Sequence, residues 1–268
     1  MIAFPNIKIN IGLNVIRKRN DGFHDLETIF FPVNMSDILE VVLADKSRNE
    51  AFVFSASGRK IDANPNENLC VKAYELLKKH YDIPALDIYL HKLIPFGAGL
   101  GGGSSDASFV LRMINEICNL NISTSELEKY ALQLGSDCPF FIQNRPAFAQ
   151  GRGEVLEPID LDLKGKFLVI VNPKIHISTK VAFSGIKAVE AKTSLKQLVK
   201  LPIQQWKDNI FNDFEAHIFR LFPEIKKIKH EMYMCGADYA SMTGSGSSVY
   251  GIFSQKVNFP QAIYADFL

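Results

Sequence analysis

Cysteine is scarce in this chain, and its four copies (Cys70, Cys118, Cys138, Cys235) are scattered, with no C-x-x-C pair among them. That spacing argues against a zinc framework or a disulfide scaffold and fits reduced thiols in a cytosol. An excess of charge is also missing. Thirty Lys and Arg face 29 Asp and Glu, for a net charge of +1. Bulk charge therefore gives no support for binding to nucleic acid or to an anionic membrane. No apolar run approaches the length of a membrane span. The opening residues Met1-Ile2-Ala3-Phe4-Pro5 read as a strand rather than a signal peptide. Internal repeats and low-complexity tracts are absent. What remains is a cytoplasmic globular protein of 268 residues, 47% hydrophobic and 22% charged, enough for one large domain or two small ones.

Glycine, by contrast, is concentrated. Between Pro95 and Ser108 the chain reads Pro-Phe-Gly-Ala-Gly-Leu-Gly-Gly-Gly-Ser-Ser-Asp-Ala-Ser, with Gly97, Gly99, Gly101, Gly102 and Gly103 close together. Leu86 to Ile94 before it reads as a strand. After it, Ala107, Val110, Leu111, Ile114 and Ile117 recur at helical spacing. A glycine loop between a strand and a helix start lets backbone approach a ligand, and the unpaired N–H groups there favour an anion. Ser104 and Ser105 add hydroxyls, and a polyphosphate is the expected guest. A Walker A loop is excluded, because Gly103 is followed by Ser104 and Ser105 rather than by lysine. A dinucleotide fingerprint stays open: Gly97, Gly99 and Gly102 match G-x-G-x-x-G, but Glu116, near the distance of the acidic partner, lies inside the helix.

The rest of the chain supplies an alternation of strands and helices. Ile2 to Val15 reads as one or two strands enclosing Lys8, Asn10 and Asn14, and Asp21-Gly22 as a turn leading to Phe23-His24. Thr28 to Val33, Ile38 to Leu43 and Ala51 to Ser55 read as further strands. The loop Asn64 to Asn68 opens a helix from Leu69 to His80. Ser123 with Glu126 forms a capping-box signal for a helix ended by Gly135. Asp137, just beyond, has two readings: a capping or turn aspartate, or a partly desolvated general base. Ala147 to Ala149 leads into the turn Gly151-Arg152-Gly153-Glu154. A composition break near Pro158 to Lys166 puts the domain boundary within Gly151 to Lys166 and divides the chain into residues 1–155 and 156–268. Phe167 to Val171 is a strand, Ser178-Thr179 starts a short helix through Phe183, and Ile186 to Gln205 is loop and short helix. Helical spacing runs from Asn209 to Leu221, and Pro223 opens a helix closed by Gly236. Ala240 to Ser248 is a small-residue loop before the strand Val249 to Phe253. Alone it reads as a hairpin turn, or as a second loop able to approach a ligand. The chain ends soon after Phe253, with little room for a long terminal helix.

In this fixed order the motifs resemble one superfamily. Pro95 to Ser108 is similar to the phosphate loop of the galactokinase, homoserine, mevalonate and phosphomevalonate (GHMP) kinases, and Ser241 to Gly246 to their C-terminal glycine motif. Within it the chain resembles the 4-diphosphocytidyl-2-C-methyl-D-erythritol kinases of the non-mevalonate isoprenoid pathway along nearly its whole length. Lys8-Ile9-Asn10, Arg19 to His24, Asn68-Leu69, Gly135 to Phe140, Gly151 to Glu154 and Asn212 to Glu215 carry that likeness.

The resemblance implies an α+β fold of two lobes. The first is the ATP-binding lobe, ribosomal-protein-S5-like, and the second is ferredoxin-like, with the active site in the cleft between them. It implies ATP-dependent phosphorylation of the 2-hydroxyl of the cytidine-diphosphate substrate. Asp137 is the general base and Lys8 its charged partner. Pro95, Gly97, Ala98, Gly99, Leu100, Gly101, Gly102, Gly103, Ser104 and Ser105 hold ATP phosphates, and Asn68, Leu69 and Lys92 line the adenine side. His24 reads the cytosine edge, Phe183 stacks on its face and Phe23 flanks it. A turn histidine and a core phenylalanine are the ordinary readings of the first two residues. Asn10, Thr179, Gly244, Ser245 and Gly246 complete the substrate side. Mg²⁺ is implied with ATP. No carboxylate ligand is evident, which leaves Ser105, or the phosphates and water, to hold it. The expected assembly is a monomer or weak homodimer. Phe23 stands where tyrosine is common, Arg152 where a small aliphatic residue is usual, and Cys138 and Thr243 are milder departures. They bear on affinity rather than on reaction class. Two other functions stay open: a mevalonate- or homoserine-type kinase, and a nicotinamide-dependent oxidoreductase.

Overall fold

The computed structural model describes residues 1–44, 52–59, 67–189 and 192–268. Ala51 and Asn64 to Asn66, which the sequence assigns to a strand and a loop, lie outside the described residues. In chain order the elements are β1 (Ile2–Ala3), β2 (Asn6–Lys18), β3 (His24–Ser36), β4 (Ile38–Leu43), β5 (Phe52–Gly58), α1 (Leu69–Lys78), β6 (Leu86–Lys92), α2 (Gly102–Ile117), α3 (Thr124–Leu134) and α4 (Cys138–Gln143). They continue with β7 (Ala147–Gln150), β8 (Val155–Pro158), β9 (Phe167–Val171), α5 (Thr179–Ser184), α6 (Leu195–Leu198), a 3-10 turn (Ile203–Gln205), α7 (Trp206–Asn209), α8 (Phe214–Leu221), α9 (Pro223–Met234), β10 (Tyr239–Met242), β11 (Val249–Phe253) and β12 (Ala262–Phe267). Among the described residues no helix is long and apolar enough to cross a membrane, and all four cysteines are free.

Two compact units emerge, each built from more than one segment. The first takes Met1–Ile7, Asn34–Phe96 and Gly101–Asn144, the second Lys8–Val33, Gly97–Leu100 and Arg145–Leu268. The cut at 155/156 divides the sequence once, whereas packing groups Lys8–Val33 with the C-terminal part.

Unit one holds a sheet ordered β1-β4-β6-β5, with β4 antiparallel and β5 parallel to β6. Strand β6 shows why. Leu86, Ile88 and Leu90 alternate inward and join Leu39 and Val41 of β4 against Ala73 and Leu77 of α1 and Val110, Leu111 and Ile114 of α2. The fourth inward position is Lys92, buried to 1% exposure. Asn68 caps α1 by accepting from the Cys70 N–H (2.9 Å), and Ser123 caps α3 by accepting from the Glu126 N–H (3.3 Å). Gly135 ends α3 in extended backbone, at φ 169°, rather than in the left-handed cap that its position suggests.

Unit two contains an antiparallel sheet ordered β10-β11-β9-β12. All five residues of β9 are buried. Phe167, Val169 and Val171 pack with Phe214 and Ile218 of α8, Ile225 and Met232 of α9, and Leu13 and Val15 of β2. The hairpin β7–β8 turns through Gly151 (φ +70°) and Gly153 (φ +108°) and pairs β7 with β3.

Further stretches depart from the sequence reading, among them the unread strands β8 and β12. The helix read from Asn209 starts only at Phe214, because Ile210 to Asp213 are drawn into bonds with β2: Leu13 N–H donates to Phe211 O, and Asp213 N–H to Leu13 O. The loop read from Ala240 begins at Thr243, since Tyr239–Met242 pairs with β11. Helix α4 has no 3.6-residue pattern to reveal it, because Cys138 to Ile142 are all buried.

Candidate active site

In unit two the residues of β2 meet the two glycine loops. Lys8 Nζ, 3% exposed, donates to Asn10 Oδ1 (2.6 Å) and Gly99 O (3.2 Å) and lies 5.0 Å from the centroid of the Phe30 ring. Lys8 N–H donates to Leu100 O at 3.0 Å. Asn10 Nδ2 donates to Thr28 Oγ1 (2.9 Å), and Thr243 Oγ1 lies within hydrogen-bonding reach of the Asn10 N–H, Asn10 Oδ1 and Gly99 O. The Asn10 amide is thus spent on holding Lys8 and Thr28. Gly99 sits at φ +75°, and a Cβ there would overlap the Thr243 carbonyl oxygen, so only glycine fits this crossing of loops.

The C-terminal glycine loop is itself suspended. Asn212 Nδ2 donates to Met242 O (2.8 Å) and Gly244 O (2.9 Å), and Glu215 accepts from the Met242 N–H (2.8 Å) and Lys229 Nζ (2.6 Å). The Tyr250 hydroxyl donates to Asn10 O at 2.8 Å. The Asn-Asp-Phe-Glu run was visible in the sequence, but its task was not, since each bond joins residues far apart in the chain.

The aromatic residues of unit two are arranged differently from an open slot. His24 stacks directly on Phe183, with ring centroids 4.7 Å apart and planes at 22°, and Phe183 meets Phe214 edge-on at 4.8 Å. His24 therefore occupies one face of Phe183, the face a base would need. Phe23 is 55% exposed and carries the Arg152 guanidinium 5.0 Å above its ring. Thr179 is exposed at the first position of α5, which Ser178 caps by accepting from the Val181 N–H.

Unit one supplies the helix start. Gly101 (φ +73°) is the residue before α2 and has no side chain to cap it, so the first N–H groups of the helix keep their capacity for an anion. Ser105 Oγ is buried and has no hydrogen-bond partner among the described residues, which fits a hydroxyl kept for a phosphate oxygen. Asn68 and Leu69 begin α1, and Leu69 Cδ1 is the nearest atom, at 4.0 Å, to where a Cβ on Gly103 would lie. Asp137 is half-buried at the N-cap position of α4, and its carboxylate makes no capping bond to the helix. Its neighbour Cys138 is buried, which pushes the thiol up to about 12 and keeps it neutral.

Lys92 is placed otherwise than expected for an adenine contact. Its ammonium is held by Asp37 and by Asp106 Oδ2 (2.6 Å), all three groups nearly solvent-free. Asp37 Oδ1 also accepts the N–H groups of Leu93 and Ile94 (2.8 Å for Ile94). Burial would lower the Lys92 pKa, but the two carboxylates overcome this and raise it. Among the described residues Asp106 Oδ2 accepts from Lys92 and its Oδ1 is buried without a hydrogen-bond donor; burial, with the nearby Asp37 carboxylate adding to it, pushes Asp106 up to about 7. One ammonium is shared by two carboxylates, and the excess proton falls on the less well bonded one. Among the described residues no group of three or more His, Cys, Asp or Glu is gathered to hold a metal.

The GHMP kinases N terminal domain family matches residues 68–145 and the GHMP kinases C terminal family residues 194–265. The chain is 54% identical to a 4-diphosphocytidyl-2-C-methyl-D-erythritol kinase of Azobacteroides pseudotrichonymphae, over 95% of this chain and 94% of that one. It is 51% identical to the protein of that name from Bacteroides fragilis, over 96% and 93%. A crystal structure of 4-(cytidine 5'-diphospho)-2C-methyl-D-erythritol kinase superposes with a TM-score of 0.81 at 30% identity, covering 94% of this chain and 90% of that one.

Proposed function

The chain belongs to the GHMP kinases, and within them to the 4-diphosphocytidyl-2-C-methyl-D-erythritol kinases, and from that premise we propose how its residues divide the work. It is an ATP-dependent kinase of the non-mevalonate isoprenoid route. Its acceptor is 4-diphosphocytidyl-2-C-methyl-D-erythritol, and the hydroxyl phosphorylated is the one on C2.

Asp137 accepts the proton of that hydroxyl as the oxygen attacks the γ-phosphorus. Lys8 stabilises the charge that develops on the attacking oxygen. The observation that carries this assignment is the setting of Lys8: a buried ammonium whose position is fixed by Asn10 and by the Gly99 carbonyl of the glycine loop. Backbone N–H groups from Gly97 to Ser105 hold the phosphates, with the Ser105 hydroxyl as a further donor. Phosphoryl transfer of this kind asks little covalent chemistry of the protein, and positioning and electrostatics supply most of the rate. Mg²⁺ arriving with the nucleotide would neutralise phosphate charge.

Asn68 and Leu69 line the adenine side, while the Lys92 ammonium is engaged with Asp37 and Asp106 and contributes from below the loop. His24 and Phe183 take the cytosine. Their stacked contact makes way for the base, or the base stacks on the outer face of His24, and in both arrangements His24 offers a ring nitrogen to the base edge. Phe23, Thr179 and Gly244 to Gly246 border the acceptor. A pyrimidine reader is what separates this reading from a mevalonate- or homoserine-type acceptor.

The test is release of ADP by the purified protein with Mg-ATP, with and without 4-diphosphocytidyl-2-C-methyl-D-erythritol, beside the Asp137→Asn variant. Acceptor-dependent release that falls by at least about a thousandfold in the variant, with Mg-ATP affinity kept, is the expected result. Near-normal turnover by Asp137→Asn removes it as the base. Release with mevalonate or homoserine but not with the cytidine compound removes the acceptor.

A further inference from the structure

A buried lysine between two buried aspartates is a poor way to stabilise a core. Apolar residues of the same volume do as well or better, because desolvation offsets most of the attraction. The placement of this cluster gives it another purpose. Lys92 ends β6, Asp37 lies between β3 and β4, and Asp106 is in the first turns of α2. Asp37 takes the Leu93 and Ile94 N–H groups, the last residues before the glycine loop. Asp106 belongs to the helix that the loop enters. Lys92 Nζ joins the two carboxylates and lies 5.6 Å from the centroid of the Phe96 ring. A Cβ on Gly102 would lie 2.8 Å from Ile94 Cγ2 and 3.2 Å from Lys92 Nζ, so the helix start rests directly on the strand end and the ammonium.

Between those pinned ends, Gly97, Gly99 and Gly101 all have positive φ (+60°, +75°, +73°), and fixing the ends limits the conformations that so glycine-rich a loop can reach. We propose that Asp37, Lys92 and Asp106 are positioning residues for the nucleotide: they tie the exit of β6 to the first turns of α2 and so preorganise the phosphate loop. This rests on the reading of Gly97 to Ser105 as the ATP phosphate loop. Its energetic content is that ordering of the loop is completed during folding rather than at nucleotide binding.

The experiment compares Asp106→Ala with Asp106→Asn, whose amide oxygen still accepts from Lys92. Mg-ADP binding is measured by titration calorimetry, and KM for each substrate by steady-state kinetics. Asp106→Ala weakens Mg-ADP binding and raises KM for ATP by about tenfold or more, the scale of one lost charged hydrogen bond, and leaves KM for the acceptor within about twofold. Asp106→Asn stays within about threefold of wild type on every measure. Leu127→Ala, elsewhere in the same core, serves as the control for plain destabilisation. It lowers the active fraction and hence kcat without moving KM for ATP. If Asp106→Ala does not fold, the triple variant Asp37→Asn, Lys92→Met and Asp106→Leu removes all three charged groups together and carries the same expected tenfold weakening. Mg-ADP binding by the alanine variant within about threefold of wild type, or equal weakening by Leu127→Ala, overturns the proposal. A wild-type protein that binds no Mg-ADP overturns the phosphate-loop reading beneath it, and that result appears before any variant is compared.

Discussion

Gly99 has no room for a side chain, and Gly165 has all the room it needs. Both lie at positive φ, +75° and +81°, but a Cβ on Gly99 would meet the Thr243 and Gly246 backbone, and on Gly165 nothing within 4 Å. Gly165→Ala therefore costs only the left-handed backbone penalty, about 1–2 kcal/mol. Gly99→Ala adds a collision with main-chain atoms that cannot rotate away, and it separates the two glycine loops. Denaturant titration should show a clearly larger loss for Gly99→Ala. Kinetics should show a raised KM for ATP in that variant alone, and equal stability losses would mean that the Thr243 turn yields. His24→Ala should raise KM for the cytidine acceptor by about threefold to tenfold, the worth of one aromatic pair, with KM for ATP unchanged. An equal rise in both would place His24 outside the acceptor site. At this scale the sequence was most legible where chemistry repeats locally. Lys8 stands out in an apolar strand, and the glycines announce close backbone approach. Asp37 and Asp106 were not legible, because the lysine that gives them their role is 55 and 14 residues away. Lys92 entered only through the resemblance, as an adenine-side residue, and its charge turns inward to Asp37 and Asp106.

Between elements, the bonds of Asn212 are the informative ones. The sequence offers helical spacing from Asn209, and propensity alone would run α8 through it. The backbone instead leaves helix at Ile210 to Asp213, and Asn212, 2% exposed, supports the carbonyls of Met242 and Gly244. Tertiary hydrogen bonds override the periodic pattern here. Asn212→Ala removes the amide donor from Met242 O, which keeps the Ser241 hydroxyl, and from Gly244 O, and takes the acceptor from the Phe214 N–H, at about 1–3 kcal/mol for each group left unpaired. A loss of roughly 2–5 kcal/mol by denaturant unfolding is expected, together with faster hydrogen exchange at Gly244 and Gly246 than at β9. A loss below about 1 kcal/mol would show that water replaces the amide. Helix α4 went unread for a related reason. A segment buried on every side carries no amphipathic signal, although Pro139 in its first turn was a visible start marker. Strands β6, β9 and β11 were legible because their apolar runs are short, bounded and rich in branched residues.

Over the whole molecule, the buried cluster makes stability depend on pH in an unusual direction. Asp106 in the folded protein holds its proton up to about 7, whereas in the unfolded chain it titrates near 3.8. Between these values the native state binds more protons than the unfolded state, so this group's contribution to stability falls as pH rises and is lost by the time pH passes 7. Most carboxylates stabilised by ion pairs act the other way, gaining as pH rises. Lys92, raised above its ordinary value, keeps its own contribution across this window and loses it only in strong alkali. The Asp106→Asn variant cannot titrate there, so the difference between the two proteins isolates the effect and cancels the histidines. From pH 5 to pH 8 the wild type should lose stability relative to Asp106→Asn by at most roughly 3 kcal/mol, two units of proton linkage. In a chain of this size that is a shift of several degrees in relative Tm. Calorimetry of both proteins at pH 5, 6, 7 and 8 checks it. A constant difference would mean that Lys92 keeps Asp106 ionised throughout, and that the unpartnered Oδ1 is then a bare carboxylate oxygen in the core. Wild-type stability that falls relative to Asp106→Asn up to about pH 7 and levels off above it would mean that Asp106 keeps its proton in the buried cluster well above the ordinary carboxylate range.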